Sequence, residues 1–496
     1  MSNTQLAPNT PILVGIGTAT QRSSEPAKSL EASALMSLAV ANAAKDCGVA
    51  SILQQCDSIA VPRGTWSYSN PARLIADELG IKDVKTILAD IGILQQTLIS
   101  NACDAIQNGE QSIALICGGE AKYRAVQISK QGLEITDTLQ TDIHPDEFLT
   151  ITGDIVSDAE MQRGMAMPVT PYAIMESAMR YKAGTGIEQH RKELGSLYAE
   201  FAGIASRNPD AWIKDGYSAE DIANASDRNR MLAFPYTKRM NTQWNVDQAS
   251  ALLLCSVAKA EELGIAPHQW VFPLSGTESE HMTLVSERVE LHRCEGAKIA
   301  GNRALALANT CIDDIDYLEL YSCFPAAVKA YAQELGVKPG KPLVVSGSMA
   351  FAGGPLNNFV LQSTATMCRL LRKKPGKTGL VSSVSGMLTK QAFATWSATP
   401  QPTGFQFDDV SAQTAAAAKC YPLNPDYRGS AGVAGYTVNS IPGFPDSLIA
   451  VCDTPNQGRA IATSSNTALI EYVCTQEFCG EQVTIGADNE LSYAPK

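Results

Sequence analysis

No run of about 18 consecutive apolar residues occurs in this 496-residue chain, which excludes a helical membrane span on sequence grounds. Positive charge is in deficit: 39 Lys and Arg stand against 51 Asp and Glu, and the net charge of −12 has the wrong sign for a nucleic-acid partner. A local basic pocket for a phosphorylated cofactor remains compatible with that balance. Histidine is scarce, and none of His144, His190, His268, His281 and His292 stands in a recognisable motif. The thirteen cysteines form no CxxC pair and no Cys/His cluster at metal-ligand spacing. That excludes a zinc ribbon and a small disulfide scaffold, and it predicts reduced thiols filling the core. Gly15-Ile-Gly17 lacks the rest of a dinucleotide fingerprint, and there is no P-loop. The segment Met1 to Thr10 has neither the basic region nor the apolar core of a secretory signal, so the expected compartment is the cytoplasm.

What is present is a long, ordinary globular composition, 45% apolar and 18% charged. At roughly 100–200 residues per domain the length suggests three or four units. Pro11-Ile-Leu-Val-Gly-Ile-Gly17 reads as a strand, followed from about Ser29 to Cys47 by an alanine- and leucine-rich helix. The alternation returns at Ser51 to Val61, Val84 to Ile91, the helix from about Gln95 to Gly109, and Ser112 to Gly119. Continuous apolar strands alternating with helices imply a sheet covered on both faces. From about Leu139 to Phe234 the texture is helical and charged, an inserted subdomain. A second strand and helix series begins with Ala249 to Ser256 and continues through Val271 to Gly276, Tyr317 to Tyr321 and Gly379 to Val384. After Thr399-Pro-Gln-Pro-Thr403, short alternating strands follow at Leu448 to Cys452, Arg459 to Thr463 and Gln482 to Ile485, which predicts a small barrel-like sheet.

Several ordered motifs carry a family resemblance. They are Ala105-Ile-Gln-Asn-Gly-Glu110 leading into Leu115-Ile-Cys-Gly-Gly-Glu120, Pro235-Tyr-Thr-Lys238, Asn245-Val-Asp247, Leu320-Tyr-Ser-Cys-Phe-Pro325, Gly353 to Asn358, and Leu388-Thr-Lys390. Through them the chain resembles the thiolase superfamily, and within it the type 1 thiolase-like proteins related to sterol carrier protein thiolases. The resemblance implies a duplicated five-layer αβαβα fold: an N-terminal half over 1–270 with the helical loop domain at about 139–234, and a C-terminal half over 271–398. It also implies an additional barrel-like domain of the oligonucleotide-binding type over 401–496, read as a cover or docking module. Family members dimerise through the core sheet, while an extra C-terminal domain could cover that surface, so homodimer and monomer both stay open.

A thiolase needs a thiolate nucleophile, a histidine that activates it, a second acid/base and donors for two thioester oxygens. By the resemblance the nucleophile's position falls on Gly92, the histidine of the Gly-His-Pro motif on Gly354, the first oxyanion residue on Tyr321, and the late catalytic cysteine on Ser383. Cys323 keeps the cysteine of the sterol carrier protein motif. Its two readings are an acid/base thiol in a cleft and a small buried residue beside Phe324, and the first needs a partner that lowers its pKa. Tyr321 resembles the tyrosine of steroid side-chain retro-aldolases, which implies carbon–carbon cleavage of a 3-hydroxyacyl-CoA without a covalent thioester. A free phenol of pKa about 10 needs strong tuning for that role.

The same resemblance places Lys238, Arg239, Asn241 and Trp244 where thiolases hold the nucleotide part of coenzyme A. The cations would meet phosphates and the indole would stack on adenine, although a lone tryptophan beside a helix also serves packing. The expected function is therefore an acyl-CoA-binding member of the acetyl-CoA acetyltransferase group, in lipid metabolism, with ordinary thiolase turnover doubtful. The alternatives are the retro-aldolase and a non-catalytic CoA-ester-binding scaffold. No permanently bound cofactor, metal or nucleic-acid partner is expected, with coenzyme A or acyl-CoA as the ligand.

Overall fold

The computed structural model describes residues 6–151 and 153–494. Six strands form the first sheet in the spatial order Pro11–Thr20, Asp247–Ser256, Ile113–Ala121, Ser58–Pro62, Lys85–Ala89 and Glu147–Leu149. The strand Asp247–Ser256 runs antiparallel to both neighbours, and all ten of its residues are buried, because strands flank it and helices cover both faces. The remaining pairs are parallel. Five strands form the second sheet, in the order Tyr317–Glu319, Thr378–Ser385, Lys390–Ser397, Phe272–Glu280 and Gln406–Asp409.

The helices Gln95–Gln107 and Phe359–Arg372 lie between these sheets, and Leu98, Ile99, Ile106, Val360, Leu361 and Leu371 share one apolar cluster with Leu252 and Leu254 of the first sheet and Val381 and Trp396 of the second. Ala32–Cys47 covers the outer face of the first sheet with Leu35, Met36, Ala39, Val40 and Ala43. Glu295–Leu307 and Pro325–Leu335 cover the second from outside. This is the αβαβα layering that the family resemblance implied, with each sheet covered on both faces as the apolar strands predicted. Gly15 and Gly17 take their reason from it: a Cβ on Gly17 would stand 1.8 Å from the Ala39 carbonyl oxygen, so the pair lets helix and strand approach closely.

The inserted segment is helical as expected, with Val169–Ala183 and Ile187–Ala205 as its long members. Two expectations for the C-terminal part need correction. The expected boundary at 401 falls inside the second half, because Gln406–Asp409 pairs in parallel with Phe272–Glu280; the third sheet begins only at Gly429. That sheet, in the order Gly458–Ser464, Ser447–Thr454, Gly429–Asn439, Gln482–Ile485 and Leu491–Ser492, is open and not a barrel. Its last strand has two residues, and among the described residues its first and last strands approach each other through one backbone bridge, from Thr463 to Glu490, and the hydrogen bond from the Ser464 hydroxyl to the Glu490 carboxylate (3.1 Å). The sheet is also tied to the insertion. Asn439 pairs with Ala233, and the buried Arg180 donates to Glu477 (2.8 and 3.2 Å) and to the Tyr436 hydroxyl (3.0 Å). Among the described residues no helix is long and apolar enough to cross a membrane.

Candidate active site

The loop Leu320–Phe324 leaves the carboxyl end of the strand Tyr317–Glu319 and enters the helix Pro325–Leu335, whose proline stands in the first turn where no amide is needed. Such strand-to-helix loops are where open α/β sheets hold ligands. Two serines fix the loop: Ser382 Oγ accepts from the Tyr321 amide (2.8 Å), and Ser322 Oγ accepts from the Met349 amide (3.2 Å). The Cys323 carbonyl accepts from both the amide (3.2 Å) and the hydroxyl (2.9 Å) of Thr242. The Gln243 amide donates to Met349, and the Gly354 amide donates back to Gln243 (2.9 Å). Three segments distant in sequence, 241–243, 321–324 and 349–354, are thus knit into one surface.

The helix Gln95–Gln107 joins this surface at its start. Gln95 accepts from the Val360 amide (3.0 Å) and donates to Asn357 (3.4 Å). Gly92 precedes it with φ at +107°, and a Cβ there would stand 2.6 Å from Ile151 Cγ2. A Cβ on Gly354 would stand 2.2 Å from Thr242 Cγ2. At both positions any side chain would press its Cβ on a neighbouring side chain, which would have to shift to admit it. Ser383 is fully buried, and its hydroxyl has no partner among the described residues.

Cys323 is buried, and burial pushes its thiol up to about 12, against the opposing effect of the hydrogen bond from the Tyr172 hydroxyl. It is a thiol at neutral pH, and no cation among the described residues lowers its pKa as a nucleophile requires. Burial likewise raises the Tyr321 phenol above its ordinary value. Its ring meets Phe359 edge-on, and its hydroxyl makes no hydrogen bond among the described residues.

Behind Cys323 lies a polar network that the sequence did not reveal. The carboxylate of Glu176, fully buried on the helix Val169–Ala183, accepts from Lys329 Nζ (2.5 Å), the Tyr236 hydroxyl (2.6 Å) and His190 Nε2 (2.8 Å). Tyr236 also accepts from the Ala326 amide (3.1 Å). Glu176 and Tyr172 are one helical turn apart, so the network and the phenol facing Cys323 share a scaffold. A polar residue inside an apolar helix was the only sequence signal, and it names no partner.

The expected coenzyme A residues separate. Lys238 is exposed, with no ion pair among the described residues. Arg239 lies 4.2 Å over the Tyr217 ring and donates to the Asp221 carbonyl (2.9 Å). Trp244 is 46% exposed with Lys122 Nζ 3.4 Å from its ring centroid, a cation–π contact that sequence order gave no reason to expect. Asn241 turns inward, donating to the Thr237 carbonyl (2.6 Å). Two carboxyls beyond this surface are also perturbed: burial raises Glu319, which accepts from Ser346 and the Val345 amide, to about 7, and raises Glu278, which accepts from Thr97, to about 7. Two cavities, of about 270 and 210 Å³, lie elsewhere and include neither Tyr321 nor Cys323.

No protein-family model matches the chain. It is 24% identical over 335 residues to an acetyl-CoA acetyltransferase of Chromobacterium violaceum, a match that spans 64% of this chain and 82% of that protein. A 3-ketoacyl-CoA thiolase of Alcanivorax borkumensis is 29% identical over 145 residues, 28% of this chain and about a third (34%) of that protein's length. Among solved structures, a monomeric SCP2-thiolase like protein type 1 from Mycobacterium smegmatis superposes with a TM-score of 0.82 at 24% identity, covering 99% of this chain and 100% of that one. An Ltp2-ChsH2(DUF35) aldolase superposes with a TM-score of 0.58 at 17% identity, covering 78% of this chain and 98% of the other. The structural likenesses establish the thiolase fold, and the sequence relatives, all at modest identity, support a place for this chain in the thiolase superfamily.

Proposed function

We propose that this protein binds coenzyme A esters on a thiolase scaffold and does not carry out thiolase turnover. The observation that carries the reading is the crowding at Gly92 and Gly354, the positions that the resemblance gives to the nucleophile and its activating histidine: an added Cβ would stand 2.6 Å from Ile151 and 2.2 Å from Thr242, and burial raises the remaining thiol of Cys323. Binding is supported by the exposed ammonium of Lys238 and the half-exposed Trp244 ring, which lie at either end of the segment whose Thr242 and Gln243 dock on the Cys323 loop. A nucleotide resting on Trp244 would direct its thioester arm toward that loop.

In the same reading the protein serves lipid metabolism in the cytoplasm as a monomer. The strand Glu147–Leu149 covers the Lys85–Ala89 strand at the edge of the first sheet, an edge otherwise open to pairing with a second copy. Cleavage of a 3-hydroxyacyl-CoA through Tyr321 fits less well, since a phenol raised by burial supplies a proton donor and not the base that starts the reaction.

Calorimetric titration with acetyl-CoA tests the binding. The wild type is expected to bind, and Trp244→Ala combined with Lys238→Glu is expected to weaken it about tenfold, a loss of ~1.4 kcal/mol. Absence of binding at about millimolar ligand, or affinity indifferent to both substitutions, would remove coenzyme A esters from the reading.

A further inference from the structure

We infer that the cavity of about 270 Å³ at the start of the helix Glu295–Leu307 is a second ligand site, for a small oxyanion that carries a hydrogen-bond donor beside its charge. The cavity is walled by that helix start, by Leu388, Thr389 and Gln391 entering the strand Lys390–Ser397, and by the residues after the short helix Ser411–Ala417. None of Lys238, Arg239 and Trp244 lines it, so it stands apart from the coenzyme A reading.

Three observations point to the ligand. First, the helix has 13 residues, and the amides of Glu295 and Gly296 in its first turn have no acceptor among the described residues, which leaves two donors and the positive end of the helix dipole facing the space. Second, Gln391 is only 2% exposed, and its side-chain oxygen has no partner among the described residues. Its Nε2 donates to the Leu388 carbonyl (2.7 Å), which fixes the amide's orientation and makes Oε1 the unused acceptor. A Cβ on Gly296 would stand 2.1 Å from that oxygen, so glycine in the first turn is what lets Oε1 reach the helix start. A buried acceptor without a donor costs ~1–3 kcal/mol, and a ligand hydroxyl or N–H would satisfy it.

Third, the charges on the wall are unequally committed. Arg293 is held by Glu334 through two bonds (2.6 and 2.8 Å), and Arg288 donates to the carbonyls of Thr283 and Met387. Glu295 faces Lys298 (3.5 Å) and Arg293 (3.7 Å), and Glu290 faces His292 (3.8 Å). Lys419, exposed at the rim, has no ion pair among the described residues. An oxyanion between the Lys419 ammonium and the helix amides, with its adjacent hydroxyl on Gln391 Oε1, uses the unpaired cation, the two amides and the buried acceptor together. Hydroxylated phosphate monoesters and short hydroxy acids both have this chemistry.

Ligand-observed NMR and calorimetry on the full chain would use glycerol 3-phosphate, 3-hydroxybutyrate, inorganic phosphate and glycerol. At least one of the first two is expected to bind about tenfold tighter than phosphate or glycerol, and the preferred one identifies the oxyanion. Lys419→Glu, an exposed substitution, is expected to weaken that binding about fivefold with an unchanged circular-dichroism spectrum. Ala417→Trp at the exposed rim is expected to block entry, again with the fold retained. Failure of both hydroxylated probes to bind at about 10 mM, binding indifferent to Lys419→Glu, or phosphate alone binding as tightly as either would overturn the assignment.

Discussion

The double variant Gly92→Cys/Gly354→His is expected to lose stability and to gain no thiolysis of acetoacetyl-CoA. Gly92 has φ at +107°, a region that costs a residue with a Cβ ~1–2 kcal/mol, and its Cβ would meet Ile151 at 2.6 Å. The new side chain at Gly354 would meet Thr242 at 2.2 Å. Thr242 cannot step aside cheaply, since its amide and hydroxyl both hold the Cys323 carbonyl. With ~1–3 kcal/mol for each overpacked site added to the backbone cost, the pair should cost about 3–8 kcal/mol. Urea unfolding reads the loss, and Cys323→Ser serves as a variant of the same loop that adds no volume. A double variant with wild-type stability would show that the two positions are open and that the crowding is misread.

Removing Glu176 should be the most damaging single change near the site. Burial acts to raise its pKa, but Lys329 and His190 outweigh that and hold the carboxyl well below the ordinary range. Glu176→Ala leaves Lys329 and His190 facing an empty buried position and strips Tyr236 of its acceptor, a loss of about 3–5 kcal/mol in the urea midpoint series. The pH dependence has a definite sign. A depressed carboxyl contributes stability above its unfolded value of about 4.3, and the contribution fades as pH falls from there toward the folded value. Wild-type stability should therefore drop steeply on acidification below about pH 5, and Glu176→Gln should flatten that slope while lowering stability at pH 7. An unchanged acid slope in Glu176→Gln would mean that the buried pairings do not hold the carboxylate.

Much of the layered core was legible because its strands are continuous apolar runs and its helices repeat buried residues at helical spacing. Pro11–Thr20, Asp247–Ser256 and Ala32–Cys47 all lie where the pattern put them. The C-terminal boundary was not, since Gln406–Asp409 is a half-exposed edge strand whose partner is more than a hundred residues away, and edge pairing leaves little mark on local pattern. Barrel closure is likewise a property of strand length and register and not of alternation. At the site, the glycines at 92 and 354 could be read as vacancies, but only the fold shows Ile151 and Thr242 crowding them. The Glu176 network joins residues from 176 to 329, and no spacing rule links them. Lys122 over Trp244 was hidden for the same reason.

The most direct measurement is incubation of the wild-type protein with acetoacetyl-CoA and free coenzyme A, with acetyl-CoA quantified by mass spectrometry. A crowded site with a protonated Cys323 predicts no acetyl-CoA above the protein-free rate. Acetyl-CoA formed over repeated turnovers and abolished by Cys323→Ser would contradict this and make that thiol the nucleophile.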